Sequence, residues 1–241
     1  MYQIERTVAI SDTAPGGLLR LSHALDYLLE CECFQMDSED DFSVYLRKNG
    51  IAVFLAFRQV EIFRLPAYGE HLKIRTNVYD CKNFFGFRNT TIYDAQENIC
   101  VLCAAIGAFV DRASGRPGKV PAQIVRDLRF DPPLPMEYLS RKIMLPAQPP
   151  ELLAPFRVKE HQADMFGHFN SNRSFDETTE YLPADFRFNR LRLEYKAQAR
   201  PGDLITPALY RGTPAPDSLT FTLSNESGVC TVFEFSSAPG K

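Results

Sequence analysis

Asp164, His168 and Asn170 fall within one seven-residue string, Asp-Met-Phe-Gly-His-Phe-Asn over positions 164–170. A carboxylate of this kind can take a proton from water or attack a carbonyl directly, while an imidazole and a carboxamide beside it can orient the participants. A helical pattern begins at the end of the string, and the first N–H groups of a helix have no partner inside it. Main-chain amides around Gly167 and His168 could therefore polarise a carbonyl oxygen. A plainer reading is just as concrete: Asp164 caps the helix, Asn170 bonds a neighbouring loop, and His168 packs as a core histidine. Residue types alone leave both readings open.

The elements around the string make it conspicuous. Residues 18–36 carry Leu18, Leu21, Leu25, Leu28 and Leu29 at helical spacing, preceded by a short strand (4–10) and turn residues (12–17). A polar break at 37–41 leads to strand-like runs at 51–65, 72–78, 84–93 and 99–110; in the second, Leu72, Ile74, Thr76 and Val78 alternate with charged or polar residues. Seven prolines among residues 130–155 exclude a central strand or a regular helix and predict an extended linker. The order then restarts: a short strand (156–161), the 163–170 turn, a helix to about 182, and strands at 191–197, 204–210, 219–223 and 229–235. Repetition at an offset of roughly 150 residues predicts a duplicated α+β unit, each with one helix on an antiparallel sheet. The predicted organisation is 1–129, linker 130–155, and 156–241. The first helix opens on apolar residues and the second on polar ones, a local conflict that places the candidate site in the second unit. Asp12 is expected at the place Asp164 holds in the other repeat, as a turn or cap residue.

Composition narrows the function. A net charge of −3, with no basic run, gives no case for nucleic acid. The apolar stretches are too short and too charged to span a membrane, and the first residues do not read as a signal peptide. Six cysteines are too few for a disulfide scaffold and are expected as reduced, buried thiols of a cytoplasmic protein. Cys100 and Cys103 have no accompanying His cluster, so neither a metal nor a diffusible cofactor is expected. His23 is expected at a surface or an interface, His161 beside the site, and Arg190, Arg192 and Lys196 on one solvated strand face, where they could also meet an acidic partner or a phosphate group.

The string 164–170, with Tyr181, Leu182 and Pro183, resembles the Asp-x-x-Gly-His-Val-Asn-Asn segment of hot-dog-fold thioesterases. Residues 50–53, 58–66, 69–76, 85–88, 109–111, 116–117 and 120–121, then 193–196 and 201–203, resemble the acyl-ACP thioesterases in order along nearly the whole chain. The resemblance implies a tandem hot-dog fold, an acyl pocket on the N-terminal side and catalysis in the C-terminal unit. It also implies release of a fatty acid from an acyl chain linked through phosphopantetheine to acyl carrier protein. Its site would comprise Asp164 as base or nucleophile and His168, Asn170 and Gln198 as orienting groups. Phe166, Gly167 and Phe169 would line the substrate. Against the family pattern, Phe166 replaces an Asn, Gln198 a Glu, Ala199 a Cys and Ser174 a Tyr. The alternatives are an acyl-CoA or polyketide thioesterase of the same fold and a non-catalytic acyl-thioester binder. The assembly is a monomer or a homodimer through a sheet edge.

Overall fold

A computed structural model describes residues 1–38, 40–212 and 214–238. The chain divides into two compact units, Met1–Leu139 and Ser140–Lys241, with the boundary inside the proline-rich stretch.

In the first unit, strands β1 (Tyr2–Thr7), β2 (Ile51–Ile62), β3 (His71–Lys82), β4 (Phe85–Tyr93) and β5 (Ile99–Asp111) form an antiparallel sheet in the order β1-β3-β4-β5-β2. Helix α1 (Leu21–Ser38) lies against it and buries Ala24, Leu25, Leu28 and Cys31. Its apolar stripe starts later than the leucine spacing predicts. Leu18 precedes the helix and is exposed. The alternation in β3 is real: Leu72, Ile74 and Thr76 are buried, while Lys73 and Arg75 on the other face pair with Glu97.

The α1 interface also buries charge. Arg58, fully buried, donates to Glu32 Oε2 at 3.0 Å, and the Thr90 hydroxyl donates to Glu32 Oε1 at 2.8 Å. Removing either ion of such a pair strands the other in a dry core, at a cost of about 3–5 kcal/mol. Through Glu32 these bonds tie α1 to both β2 and β4.

The break predicted at 37–41 is short; Glu39 lies outside the described residues. A second helix, α2 (Asp40–Lys48), follows at once. Phe42 and Leu46, one turn apart, point into a small core with Ile51, Cys81, Phe109 and Val120. Gly50, at φ +64°, ends the helix in the left-handed conformation that glycine adopts without penalty. A short helix, α3 (Ala122–Asp127), packs Ile124 and Val125 on the same core.

The stretch after α3 is more than a linker. Asn89, fully buried in β4, accepts the Leu134 N–H and the Tyr138 hydroxyl, and Gln59 accepts the Leu139 N–H. A proline-rich chain has fewer N–H donors, and side chains of the sheet accept those of Leu134 and Leu139.

In the second unit, β8 (Arg190–Tyr195), β9 (Leu204–Arg211), β10 (Leu219–Asn225) and β11 (Gly228–Ser236) form an antiparallel sheet in the order β8-β11-β10-β9. Two-residue strands β6 (Glu151–Leu152) and β7 (Phe156–Arg157) pair with β9. Helix α4 (Ser171–Thr179) stops before the predicted end near Leu182, and turns carry the chain to Pro183. Phe175 of α4 packs on Phe233 and Phe235 of β11.

The expected solvated face at Arg190, Arg192 and Lys196 is corrected. Arg190 and Arg192 are buried, and Arg192 reaches Glu234 Oε1 at 2.8 Å and the Ser140 carbonyl at 2.6 Å. Buried Glu194 accepts the Ile143 N–H. A strand covered on both faces carries its charges paired. Only Lys196 is exposed.

Each unit is thus a helix held against an antiparallel sheet, the α+β hot-dog arrangement. Five of the six cysteines are buried; Cys33 is exposed, against expectation, because α1 turns that position away from the sheet. Burial pushes the thiols of Cys31 and Cys81 up to about 11 and that of Cys103 up to about 12, so none is a ready nucleophile.

Candidate active site

Asp164 closes a tight loop between β7 and α4. Its N–H donates to the His168 carbonyl at 2.8 Å, its carbonyl accepts the Gly167 N–H at 3.0 Å, and Ala163 bridges Phe169. The turn needs a left-handed residue at its end, which Gly167 supplies at φ +75°. The Asp164 side chain folds back over this turn: Oδ1 accepts the N–H of Phe166 at 2.8 Å and of His168 at 3.0 Å. The carboxylate is thereby held in one orientation. Oδ2 makes no hydrogen bond among the described residues and is left for a ligand or water.

The loop is fixed at its far end as well. The Phe169 N–H donates to the Ala199 carbonyl at 2.7 Å, and the Asn170 N–H to the Gln162 carbonyl at 2.9 Å. Phe169 packs edge-on against Phe156. Asn170 is the N-cap of α4, and its side-chain oxygen accepts the N–H groups of Asn172 and Arg173. The cap occupies the carboxamide oxygen and leaves the NH2 with no partner among the described residues. Gln198 is exposed, one residue from the Ala199 carbonyl that receives Phe169. Phe166 and Gly167 are exposed at the loop tip, His168 is half-buried, and His161 is exposed in the turn before the loop.

Two placements differ from expectation. Helix α4 begins at Ser171, after Gly167 and His168, and the N–H groups of those two residues are directed at Asp164. The predicted oxyanion donors are therefore engaged in shaping the loop. Asp12 is not the counterpart of Asp164. In the first unit the Ala14 N–H donates to the Leu18 carbonyl, the Gly17 N–H to the Ala14 carbonyl, and Thr13 bridges Leu19. Bond for bond, Ala14 holds the position of Asp164, and Asp12 that of Gln162.

Polar pairs that residue types alone do not reveal join each loop to its helix. Asp12 Oδ2 accepts the Tyr27 hydroxyl at 2.5 Å and lies near His23, whose Nδ1 is 3.5 Å from Oδ1. Burial opposes the Asp12 charge, but the bonds from Tyr27, Ser11 and the Ala9 N–H outweigh it and hold the carboxyl below its usual range. The counterpart in the second unit is Gln162 Nε2 donating to Glu177 Oε1 at 2.5 Å. The signal was available: Asp12 and Tyr27 share the 15-residue spacing of Gln162 and Glu177.

A cavity of about 290 Å³ lies wholly within the first unit. Met36, Phe42, Val53, Val78, Phe87 and Phe109 line it, with Gly86 and Gly107 among the rest. Arg88, also on its wall, has its guanidinium tied to the Glu32 carbonyl and to Gln35 Oε1 on α1.

The fold of each unit is the hot-dog fold, and the polar loop is its candidate site. A family model, the acyl-ACP thioesterase N-terminal domain, matches residues 1–128, and the chain belongs to the acyl-ACP thioesterase family. Three solved structures share its fold along nearly the full length. An acyl-ACP thioesterase from Bacteroides thetaiotaomicron is 19% identical at TM-score 0.85, covering 97% of this chain and 96% of its own. A putative oleoyl thioesterase from Lactobacillus plantarum is 17% identical at TM-score 0.82, covering 99% and 97%. The 12:0-ACP thioesterase from Umbellularia californica is 11% identical at TM-score 0.81, covering 99% and 97%. No curated protein matches the chain. The chain is an acyl-ACP thioesterase by family; the candidate loop at residues 164–170 lies outside the matched segment. Among the described residues no helix is long and apolar enough to cross a membrane.

Proposed function

We propose that this enzyme hydrolyses fatty acyl chains from acyl carrier protein, with Asp164 as the group that activates water. One observation carries the reading. The two units close their loops with the same main-chain hydrogen bonds, and only the second carries a carboxylate in its loop, with one oxygen held by two N–H groups and the other open.

In this reading Asp164 Oδ2 takes a proton from water as the water oxygen adds to the thioester carbon. The tetrahedral intermediate then collapses, the C–S bond breaks, and the proton passes from Asp164 to the departing phosphopantetheine sulfur. The products are a free fatty acid and the carrier thiol. The Asn170 NH2 and the exposed Gln198 carboxamide supply donors to the carbonyl oxygen, because the amides of Gly167 and His168 are committed to the loop. Gln198 cannot act as a base; it binds and orients. His168 orients the water or the carbonyl, and the exposed rim of Phe166 and Gly167, with Phe169 behind it, contacts the substrate beside the sulfur. No metal or diffusible cofactor is called for by these steps. The apolar cavity of the first unit takes the acyl chain, since ligand pockets of roughly 300–1,000 Å³ lined by apolar side chains suit such a tail.

The partner is a phosphopantetheine-bearing carrier protein, and the compartment is the cytoplasm. The free edge of β1 offers a route to a homodimer, which sedimentation would test.

The test is thiol release from matched acyl-ACP and acyl-CoA panels. Faster turnover of acyl-ACP supports the reading, whereas faster turnover of acyl-CoA moves the enzyme to the other carrier. Tight binding of acyl-ACP that stays intact for hours would contradict hydrolysis and indicate a binding protein.

A further inference from the structure

We propose that Gly86 and Gly107 set the depth of the acyl cavity in the first unit, and with it the longest chain the enzyme accepts. The inference rests on the function proposed above and adds the residues that decide specificity.

Gly86 of β4 and Gly107 of β5 are direct partners across the sheet, and both line the cavity. Most of the chain's other glycines sit at positive φ, where backbone geometry calls for glycine; these two do not. Glycine inside a strand weakens it, because it orders a freer backbone and packs no side chain. Two of them face to face, where the backbone would accept any residue, need a reason, and space supplies it. A Cβ on Gly107 would come within 2.7 Å of Val53 Cγ1, closer than a methyl can sit. A Cβ on Gly86 would meet Phe109 Cζ at 3.4 Å, ordinary contact, with no other neighbour within 4 Å. The open side of Gly86 is the cavity.

Phe109 and Val53, the groups those Cβ atoms would touch, are paired on adjacent strands β5 and β2 and line the same cavity. Phe109 is pinned edge-on by Phe42 of α2, at 6.0 Å between ring centroids. The wall is thus rigid at Phe109 and bare at the glycine pair. A side chain added at Gly86 projects into free volume and shortens the space left for a tail. Trimming Val53, whose side chain is partly exposed, enlarges it.

The experiment uses the full chain and three variants, Gly86→Ala, Gly86→Val and Val53→Ala, with two readouts. The first is kcat/KM on acyl-ACPs from octanoyl to stearoyl. The second is calorimetric binding of the corresponding free fatty acids, which needs no turnover. Thermal melts confirm that each variant folds. One methylene in an apolar pocket changes selectivity by about 10–200-fold, so Gly86→Ala is expected to cut kcat/KM on the longest accepted chain by a factor in that range. Short chains should lose less than long ones, so that the ratio of long-chain to short-chain kcat/KM falls. Gly86→Val should move the limit further, and Val53→Ala should move it the other way. Unchanged length profiles in both readouts for a folded Gly86→Val protein would overturn the proposal. If no acyl-ACP is hydrolysed by the wild type, the proposed function fails. The glycine assignment then stands or falls on whether Gly86→Val shifts the length dependence of fatty acid binding.

Discussion

The loops at residues 14–20 and 164–170 share one hydrogen-bond frame and differ in what it carries. Each has the same closing hydrogen bonds, a left-handed glycine at its end, the same bridge, and the same hand-off to a helix, but Gly16 is left-handed as well and its counterpart Phe166 is not. Ala14, Leu18 and Arg20 in the first become Asp164, His168 and Asn170 in the second. The hydrogen-bond frame therefore does not require the polar residues: the first loop closes it with two left-handed glycines. The first unit builds the loop without them and places its polar pair, Asp12 and Tyr27, beneath it. A duplicated fold keeps its hydrogen-bond frame in both copies and needs chemistry in only one.

That contrast can be broken by exchange. Writing Leu18 into the second loop as His168→Leu should lower kcat by about 10²-fold, the scale expected when reacting groups lose their orientation. The melting temperature should hold, since Leu is accommodated in the sister loop; an unchanged kcat would remove His168 from the site. Next in size is Tyr27→Phe. It deletes a hydrogen bond to a charged group, so stability should fall by about 1.5–3 kcal/mol in urea unfolding with kcat unaltered. A fall in kcat instead would give the first loop a part in catalysis. Asn170→Ala removes a helix cap and should cost about 1 kcal/mol. It should also raise KM or lower kcat if the Asn170 NH2 meets the carbonyl, whereas a purely structural cap would leave both unchanged. Ala14→Asp, the reverse graft, should change stability by no more than about 0.5 kcal/mol and leave turnover alone.

A smaller effect follows from Asp94, where β4 turns into β5. Arg64, with the N–H groups of Asn98 and Gln96, holds this carboxyl down to about 2. Its folded value lies below the unfolded one of about 3.9. Its stabilisation is therefore complete above that pH and is lost as the pH falls towards 2. Acid unfolding of Asp94→Asn should lack this last component.

Much of this was legible in the sequence because periodicity reports burial. The β3 alternation, the two helices and the repeat all follow from which faces are apolar. Helix α2 was not, because the polar run before it masked the one-turn spacing of Phe42 and Leu46. The buried arginines of β8 read as solvated because a single strand's pattern cannot show that Glu234 lies opposite. At the candidate site the residue types were visible, but the commitment of the Gly167 and His168 amides to Asp164 was not. It depends on a turn closing three-dimensionally, as the role of Asp12 depends on matching bonds rather than matching letters. The glycine pair in the cavity was hidden for the same reason, since strand partners are far apart in the chain.

The central claim is that Asp164 performs the chemistry. Replacing it with Asn keeps an oxygen for the Phe166 and His168 N–H groups and removes only the charge and basicity. The decisive measurement is the initial rate of thiol release from acyl-ACP by Asp164→Asn beside the wild type, with melting temperatures matched. A fall of about 10²-fold or more is predicted for a lost general base. A rate within a few-fold of the wild type would contradict the account and send the search for the base elsewhere in the second unit, beginning with Glu177.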